Sequence, residues 1–326
     1  MELTLSQLRS ITLGALKIEQ EADGFHFYRI TPTQTAAFTR ATESFGPKCL
    51  TTSGIRLDFY TDSSHLSLSW HKARTTTRKM LYFDVLVDGD PVINCGTLDC
   101  GKQPEGSFSI SLPEGSHHLQ VFFPTLTIPV LRSVVLDDGA SLTPHFPAKR
   151  IPIHGDSITQ GYDAQHPSGC YANFVARHYD AEIVNQAVGG ACFNPEVVEP
   201  VGDFDFVLVS YGSNDWSKKN PDAFKSDAAA FMYRLNEFYG HVPRFLVLPV
   251  WRGDIDERTD TAGDFMVCRE WLRKIASDRS IQPLDDFDLL PHDTHLLSDG
   301  YLHPNDQGFI PYAQRLIALL DARLPY

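Results

Sequence analysis

At 326 residues the chain is long enough for two domains, and its 42% hydrophobic content is ordinary for a folded globular protein with a sizeable core. Lys plus Arg total 28 against 41 Asp plus Glu, a net charge of −13, which argues against nucleic acid or an anionic membrane surface as the main partner. No apolar run approaches the length of a membrane span, and Glu2, Arg9 and Lys17 interrupt the stretch where a signal peptide needs an apolar core of about seven residues or more. The six cysteines are scattered, and the nearest pair, Cys95 and Cys100, lacks a zinc-ligand spacing. They read as reduced thiols, and the chain as cytoplasmic. None of the thirteen histidines falls in a His-Glu-x-x-His arrangement, so neither a metal nor a cofactor is expected.

Residues 25–136 read as short strands with turn residues between them. Period-two alternation over 55–59, 65–70 and 107–112 marks strands with one buried face. The run 80–87 meets Asp88-Gly89, a hairpin signal, and resumes at Pro91; 117–123 and 130–136 add two further strands. Some eight strands without a long helical period predict an antiparallel sandwich of jelly-roll type over residues 1–140. Binding carbohydrate, dimerising, walling a shared cleft or serving as plain scaffold all fit such a module. Whether the chain forms a homo-oligomer stays open. Trp70, His71, Arg74 and Thr75-Thr76-Thr77 read as a solvated polar connection. Pro144 and Pro147 disfavour helix and central strand, placing a linker near 137–150.

From 150 to 326, apolar strands alternate with helical patterns, which predicts a mostly parallel sheet with helices on both faces. Strands are expected at 151–153, 183–184, 204–211 and 245–250. Helices follow from the spacing of Tyr171, Phe174, Val175 and His178, from the stripe Phe224, Ala228, Phe231, Leu235 and Phe238 after Asn220-Pro221, from Phe265, Cys268, Leu272 and Ile275, and from the run after His303-Pro304-Asn305. The first strand breaks into Gly155-Asp156-Ser157. Asp and Ser open helices, and a serine on such a turn has an exposed hydroxyl beside free N–H groups suited to a developing oxyanion. Ser157 is therefore the candidate nucleophile. Ser157, Gly190 and Asn214 all fall just past the C-terminal ends of expected parallel strands, the edge at which open α/β sheets bind ligands.

These blocks carry a resemblance. Gly155-Asp156-Ser157, residues 185–190, Gly212-Ser213-Asn214-Asp215 and residues 299–304, in that order, resemble the SGNH hydrolases, also called GDSL-type esterases, over residues 150–326. The resemblance implies a three-layer, flavodoxin-like parallel-sheet hydrolase domain. It assigns Ser157 as nucleophile, His303 as general base and acid, and an oxyanion hole to the N–H groups of Ser157 and Gly190 and the Asn214 amide. Gly189 is expected to shape the turn. Asp299 is the acidic partner of His303, although it stands four residues before the histidine where the family has three. A looped-out residue leaves an Asp299 contact intact; Asp293, or a backbone carbonyl and a Ser-His dyad, are the other solutions. Asp215 is expected to fix the loop that aims Asn214. Trp216 and Trp251 are candidates for substrate binding or for packing. Arg252, Asp254 and Asp256 read as a solvated loop. The whole architecture, a β-sandwich followed by an SGNH domain, resembles carbohydrate esterase family two, some of whose members use a dyad. The expected activity is removal of a small acyl group, acetyl above all, from a carbohydrate or similar polyol, the substrate being a small-molecule or oligosaccharide ester. Acyl transfer, esterase or thioesterase action on a non-carbohydrate ester, and non-catalytic carbohydrate binding are the alternatives.

Overall fold

The computed structural model describes residues 1–259 and 261–324. In the C-terminal half, strands Lys149–Gly155, Ala181–Asn185, Val207–Ser210, Arg244–Val247 and Gln282–Leu284 form a sheet in which every neighbouring pair is parallel. Their spatial order is second, first, third, fourth, fifth, the flavodoxin-like order, so the sheet reverses direction of growth at the strand that leads to Ser157. Period two sorts the side chains. Val207, Val209 and Leu246 face the helices Pro221–Tyr239 and Phe265–Ser277, while Leu208, Phe245 and Val247 face Tyr171–His178 and Asp306–Asp321. The strand Gln282–Leu284 was not anticipated: it has three residues, one of them Pro283, and lies at the sheet edge where a missing N–H is tolerated.

The N-terminal half contains two antiparallel sheets. One runs Thr12–Leu13, Arg56–Thr61, His117–Phe122, Leu81–Val87, Asp90–Thr97; the other Lys17–Glu21, Gly24–Tyr28, Ile128–Leu136, His65–Arg74, Gly106–Ser111. Leu57, Phe59, Phe83 and Val121 from the first meet Leu68, Trp70, Phe108 and Leu131 from the second in one core, which makes the pair a sandwich. The linker adds to it, since Thr143–Pro144 pairs with the outer side of Arg56–Thr61. Among the described residues no helix is long and apolar enough to cross a membrane.

Two expectations for this half are corrected. Trp70, His71 and Arg74 are not a solvated loop: the strand His65–Arg74 continues through them and Trp70 is buried, with the connection starting only at Thr75. Nor are residues 25–136 all strand and turn, because Pro32–Ala41 and Phe45–Cys49 are helices. Thr31 and Gln34 form a reciprocal capping box with Pro32 in the first turn, which explains the helix start. The apolar stripe of Pro32–Ala41 is too short to read as a period, with Ala37 and Phe38 its buried apolar residues. Both helices belong to the core of the other half: Ile30, Ala37, Phe38, Phe45 and Cys49 pack with Val184, Val188, Ala191 and Phe193.

Arg29 fastens the two halves. It is fully buried, and its five N–H groups are all used: Nε donates to Thr51 O (2.8 Å), Nη1 to Asn185 O (2.6 Å) and Ala187 O (2.9 Å), Nη2 to Lys48 O (3.0 Å) and Thr51 Oγ1 (3.0 Å). Burial lowers the guanidinium pKa to about 10, still charged at neutral pH. Arg29→Met is expected to orphan several buried carbonyls at about 1–3 kcal/mol each, outweighing the relief of burying no charge. The thermal midpoint should fall by several degrees, and a midpoint unchanged from wild type would remove Arg29 as the fastener.

Candidate active site

The strand Lys149–Gly155 delivers Asp156 as N-cap of the short helix Ser157–Gln160, with Asp156 Oδ1 accepting the Ile158 N–H at 3.2 Å. Gly155 is required by space rather than by an unusual φ: a Cβ there would lie 2.1 Å from Thr159 Oγ1 and 2.8 Å from Ser210 O. The N-terminal half grips this helix. Ser53 Oγ donates to Gln160 O (2.6 Å), Gln160 Nε2 donates to Thr51 Oγ1 (2.9 Å), and Thr125 Oγ1 donates to Gly161 O (3.2 Å).

Ser157 Oγ lies 2.8 Å from His303 Nε2, and His303 Nδ1 lies 2.6 Å from Asp299 Oδ2. The lengthened spacing closes in a ring around the carboxylate. Asp299 Oδ1 accepts the N–H groups of Tyr301 (3.1 Å), Leu302 (2.8 Å) and His303 (3.1 Å), and Gly300, at φ +79°, supplies the left-handed residue the curl needs. Burial pushes the Asp299 carboxyl up, but His303 and the three N–H groups outweigh it and hold it well below the usual carboxylate range. The ionised carboxylate selects the tautomer with the proton on Nδ1, leaving Nε2 to accept from Ser157. Asp293 instead caps the turn Thr294–Leu296 by accepting the His295 N–H (2.9 Å).

Gly189 and Gly190 divide their work differently from expectation. Gly190 is the one with positive φ (+89°), and its N–H has no partner among the described residues; the Gly189 N–H is taken by Gln160 Oε1 at 2.6 Å. Asn214 stands in the first turn of the helix Ser213–Lys218 and donates one amide N–H to Asp156 Oδ2 (3.2 Å), leaving the other. Burial raises the Asp156 carboxyl to about 6, against the opposing pull of the Ile158 N–H and His303. Asp215 is fully buried, accepts the Phe193 N–H (3.1 Å) and pairs with Lys219 (2.9 Å), so it ties the loop carrying Gly190 to the helix carrying Asn214.

Ser157, Gly190, Asn214 and His303 line one cleft of about 340 Å³. Trp216 and Trp251 do not; they line a neighbouring cavity of about 570 Å³. Trp216 is buried, donates Nε1–H to Gly263 O (2.8 Å) and meets Phe265 edge-on, which is a packing role, while Trp251 is half-buried and stacked on His292. Arg252 corrects the reading of a solvated loop. It is buried across the Trp216 ring, lines the Ser157 cleft and is paired with Asp254 (2.5 Å). Asp256 is exposed at the neighbouring cavity.

Several residues around the site were not singled out from the sequence. Tyr162 stacks on the His303 ring at 5.3 Å and bonds Thr77 Oγ1 through its hydroxyl (2.5 Å). Asp163 lies 3.9 Å from His303 Nδ1, is clamped by both Arg78 Nε (2.5 Å) and Nη2 (3.0 Å), and accepts Ser298 Oγ–H (2.7 Å). Thr77 and Arg78 come from the sandwich, so the N-terminal half supplies one wall of the cleft. The polarity of the 75–78 run was the available signal; Tyr162 and Asp163 directly follow the serine block, but nothing local marks their contacts. The His-carboxylate group Asp58, His118 and His145 lies in the sandwich, where Asp58 is already held by Arg56 and Gln120.

Residues 153–309 match the model of the GDSL-like lipase/acylhydrolase family. No curated protein matches the chain in sequence. Among solved structures, the salicylyl-acyltransferase SsfX3 from a tetracycline biosynthetic pathway superposes at a TM-score of 0.80 with 20% identity, covering 95% of this chain and 94% of that one. A family two carbohydrate esterase from Cellvibrio japonicus gives 0.65 with 14% identity over 95% and 94%. The acetyl xylan esterase Est2A from the rumen bacterium Butyrivibrio proteoclasticus gives 0.64 with 13% identity over 99% and 98%. Behind its β-sandwich, the chain therefore carries, over residues 153–309, a domain that matches the GDSL-like lipase/acylhydrolase family model.

Proposed function

We propose that the protein is a serine esterase that removes a small acyl group, acetyl above all, from a carbohydrate or similar polyol. The observation that carries the reaction is the hydrogen-bonded line Ser157 Oγ, His303 Nε2, His303 Nδ1, Asp299 Oδ2 at 2.8 and 2.6 Å. Ser157 Oγ attacks the ester carbonyl as His303 takes its proton; the bond to the alcohol then breaks and His303 returns the proton to the leaving oxygen. Water repeats the sequence on the acyl-enzyme and frees the acid and Ser157. The negative oxygen of each tetrahedral intermediate is held by the N–H groups of Ser157 and Gly190 and the free amide N–H of Asn214, each such donor being worth about 10²–10³ in turnover. Arg78, Asp163 and Tyr162 position the imidazole without touching the reacting atoms.

The choice of a short acyl group is supported by the cleft lining, in which Leu302 and the rings of Tyr162 and Tyr301 are the main apolar surfaces among otherwise polar or cationic residues. A long acyl chain would need an apolar channel. The carbohydrate alcohol is supported by the shared architecture with the two carbohydrate esterases. The test is a panel of acetylated oligosaccharides, acetyl and octanoyl esters of one chromogenic alcohol, and a thioester. Deacetylation of the sugars and a fall in kcat/KM from acetyl to octanoyl are expected; a purified protein that cleaves only the octanoyl ester or the thioester would overturn the reading.

A second reading is acyl transfer to a hydroxyl other than water, supported by the likeness of nearly the whole chain to the salicylyl-acyltransferase. Adding sugar alcohols to the same assay separates the two, because a transferase diverts product to a new ester while a hydrolase releases free acid.

A further inference from the structure

Five cationic side chains line the Ser157 cleft, Lys48, Arg78, Lys218, Arg252 and Arg258, and among the described residues no carboxylate does. In a chain of net charge −13 this is a local reversal of sign. Three of the five are neutralised from behind, Arg78 by Asp163 and both Arg252 and Arg258 by Asp254. The two lysines are not, since among the described residues neither is paired with a carboxylate: Lys48 Nζ donates to Gly189 O (2.6 Å) and lies over the Phe45 ring, 5.1 Å from its centroid, and Lys218 Nζ donates to Gly190 O (2.6 Å). Each ammonium has two further N–H groups to give.

The two ammonium groups converge. A Cβ placed on Gly190 would stand 3.7 Å from Lys48 Nζ and 3.6 Å from Lys218 Nζ, with no carboxylate to separate the charges. Two like charges so placed repel, and the Lys48 ammonium bears the cost: burial, then Lys218 and Arg78, lower its pKa to about 8. An anion seated between them would relieve the repulsion and take charge-assisted hydrogen bonds from both.

We propose that Lys48 and Lys218 form a binding site, beside Gly190, for an anionic group on the substrate, a phosphate monoester or a carboxylate. The proposal rests on the esterase reading above. An acetyl group is uncharged, so the anion belongs to the alcohol portion, and the substrate class becomes acetylated sugars that also carry phosphate or a uronic carboxylate.

The test compares three matched acetyl esters, a neutral sugar, its phosphate monoester and its uronic acid, with wild type, Lys218→Met and Lys218→Arg. Lys218 is exposed, so its replacement leaves the core intact. Wild type should favour one anionic ester by about tenfold or more in kcat/KM, the value of one hydrogen bond to a charged group, with the preference shrinking as salt is raised. Whichever anionic ester is favoured identifies the group. Lys218→Met should lose most of the preference and Lys218→Arg keep most of it. Equal kcat/KM for the three esters in wild type overturns the proposal, and so does a Lys218→Met variant that slows all three by the same factor, which would make the lysine an aid to the oxyanion alone. Calorimetry with inorganic phosphate reads the anion site without turnover. Phosphate binding that disappears in Lys218→Met, alongside no hydrolysis of any ester, would uphold the anion site and discard the esterase; hydrolysis of the neutral ester with neither phosphate binding nor preference would do the reverse.

Discussion

Ser157→Ala should lower kcat for a chromogenic acetate ester by about 10⁵-fold or more, leaving only the residual acceleration of an oxyanion hole and a binding cleft. The size of the effect follows from the geometry. Ser157 Oγ is the atom within hydrogen-bond reach of His303 Nε2, and among the described residues no other hydroxyl is bonded there to substitute. The substitution removes one buried oxygen and one hydrogen bond, so the thermal midpoint should stay within a few degrees of wild type. KM should change little, because the oxyanion donors and the cleft wall remain. Wild-type and variant rates that are equal after purification would mean that the measured hydrolysis comes from elsewhere in the chain or from a contaminant, and the mechanism would be lost with them.

Asp299→Asn decides between a triad and a dyad. If Asp299 orients and stabilises the imidazolium, kcat should fall by about 10⁴-fold at nearly unchanged KM, the effect of the wrong tautomer at this position of a triad. In the variant, the amide oxygen is drawn to the three N–H groups that Asp299 Oδ1 now accepts, which turns the amide nitrogen toward His303 Nδ1. A donor facing Nδ1 moves the ring proton to Nε2, where it blocks acceptance from Ser157. Asp293→Asn, outside this contact, should leave kcat unaltered. A loss of less than tenfold in Asp299→Asn would establish a working dyad.

The parallel sheet and the order of its site loops were readable in the sequence because buried parallel strands write continuous apolar runs, and the three runs that lead to Ser157, Gly190 and Asn214 break at Gly155, Asn185 and Gly212. Ser157, Gly190 and Asn214 were found this way, at one edge of one sheet, and His303 through the resemblance carried by residues 299–304. Other features lay beyond such reasoning. Lys48, Arg78 and Asp163 act through contacts made across long stretches of chain, which leave no periodic trace. The curl at Asp299 depends on one left-handed glycine, and a count of residues between Asp299 and His303 does not reveal whether the extra one loops out. Trp70 was placed in a loop because alternation was followed only as far as that residue, whereas the strand runs on to Arg74. The helix Pro32–Ala41 carries its start signal, the Thr31 and Gln34 capping box, but too few apolar positions to announce itself.

The packing of Ile30, Phe38 and Phe45 against Val184, Val188 and Phe193 bears on how such a molecule can be rebuilt or diversified. The matched family segment, 153–309, is not a cassette that can be lifted onto another carrier. Its glycine loop hangs from Arg29 and Lys48, its nucleophile helix from Thr51 and Ser53, and its histidine rests under a clamp anchored at Arg78. Exchange of the sandwich for another module would carry off parts of the reaction centre along with it. Sequence change in the two halves is therefore coupled, and new specificity is as accessible through the loops of the sandwich as through those of the hydrolase sheet.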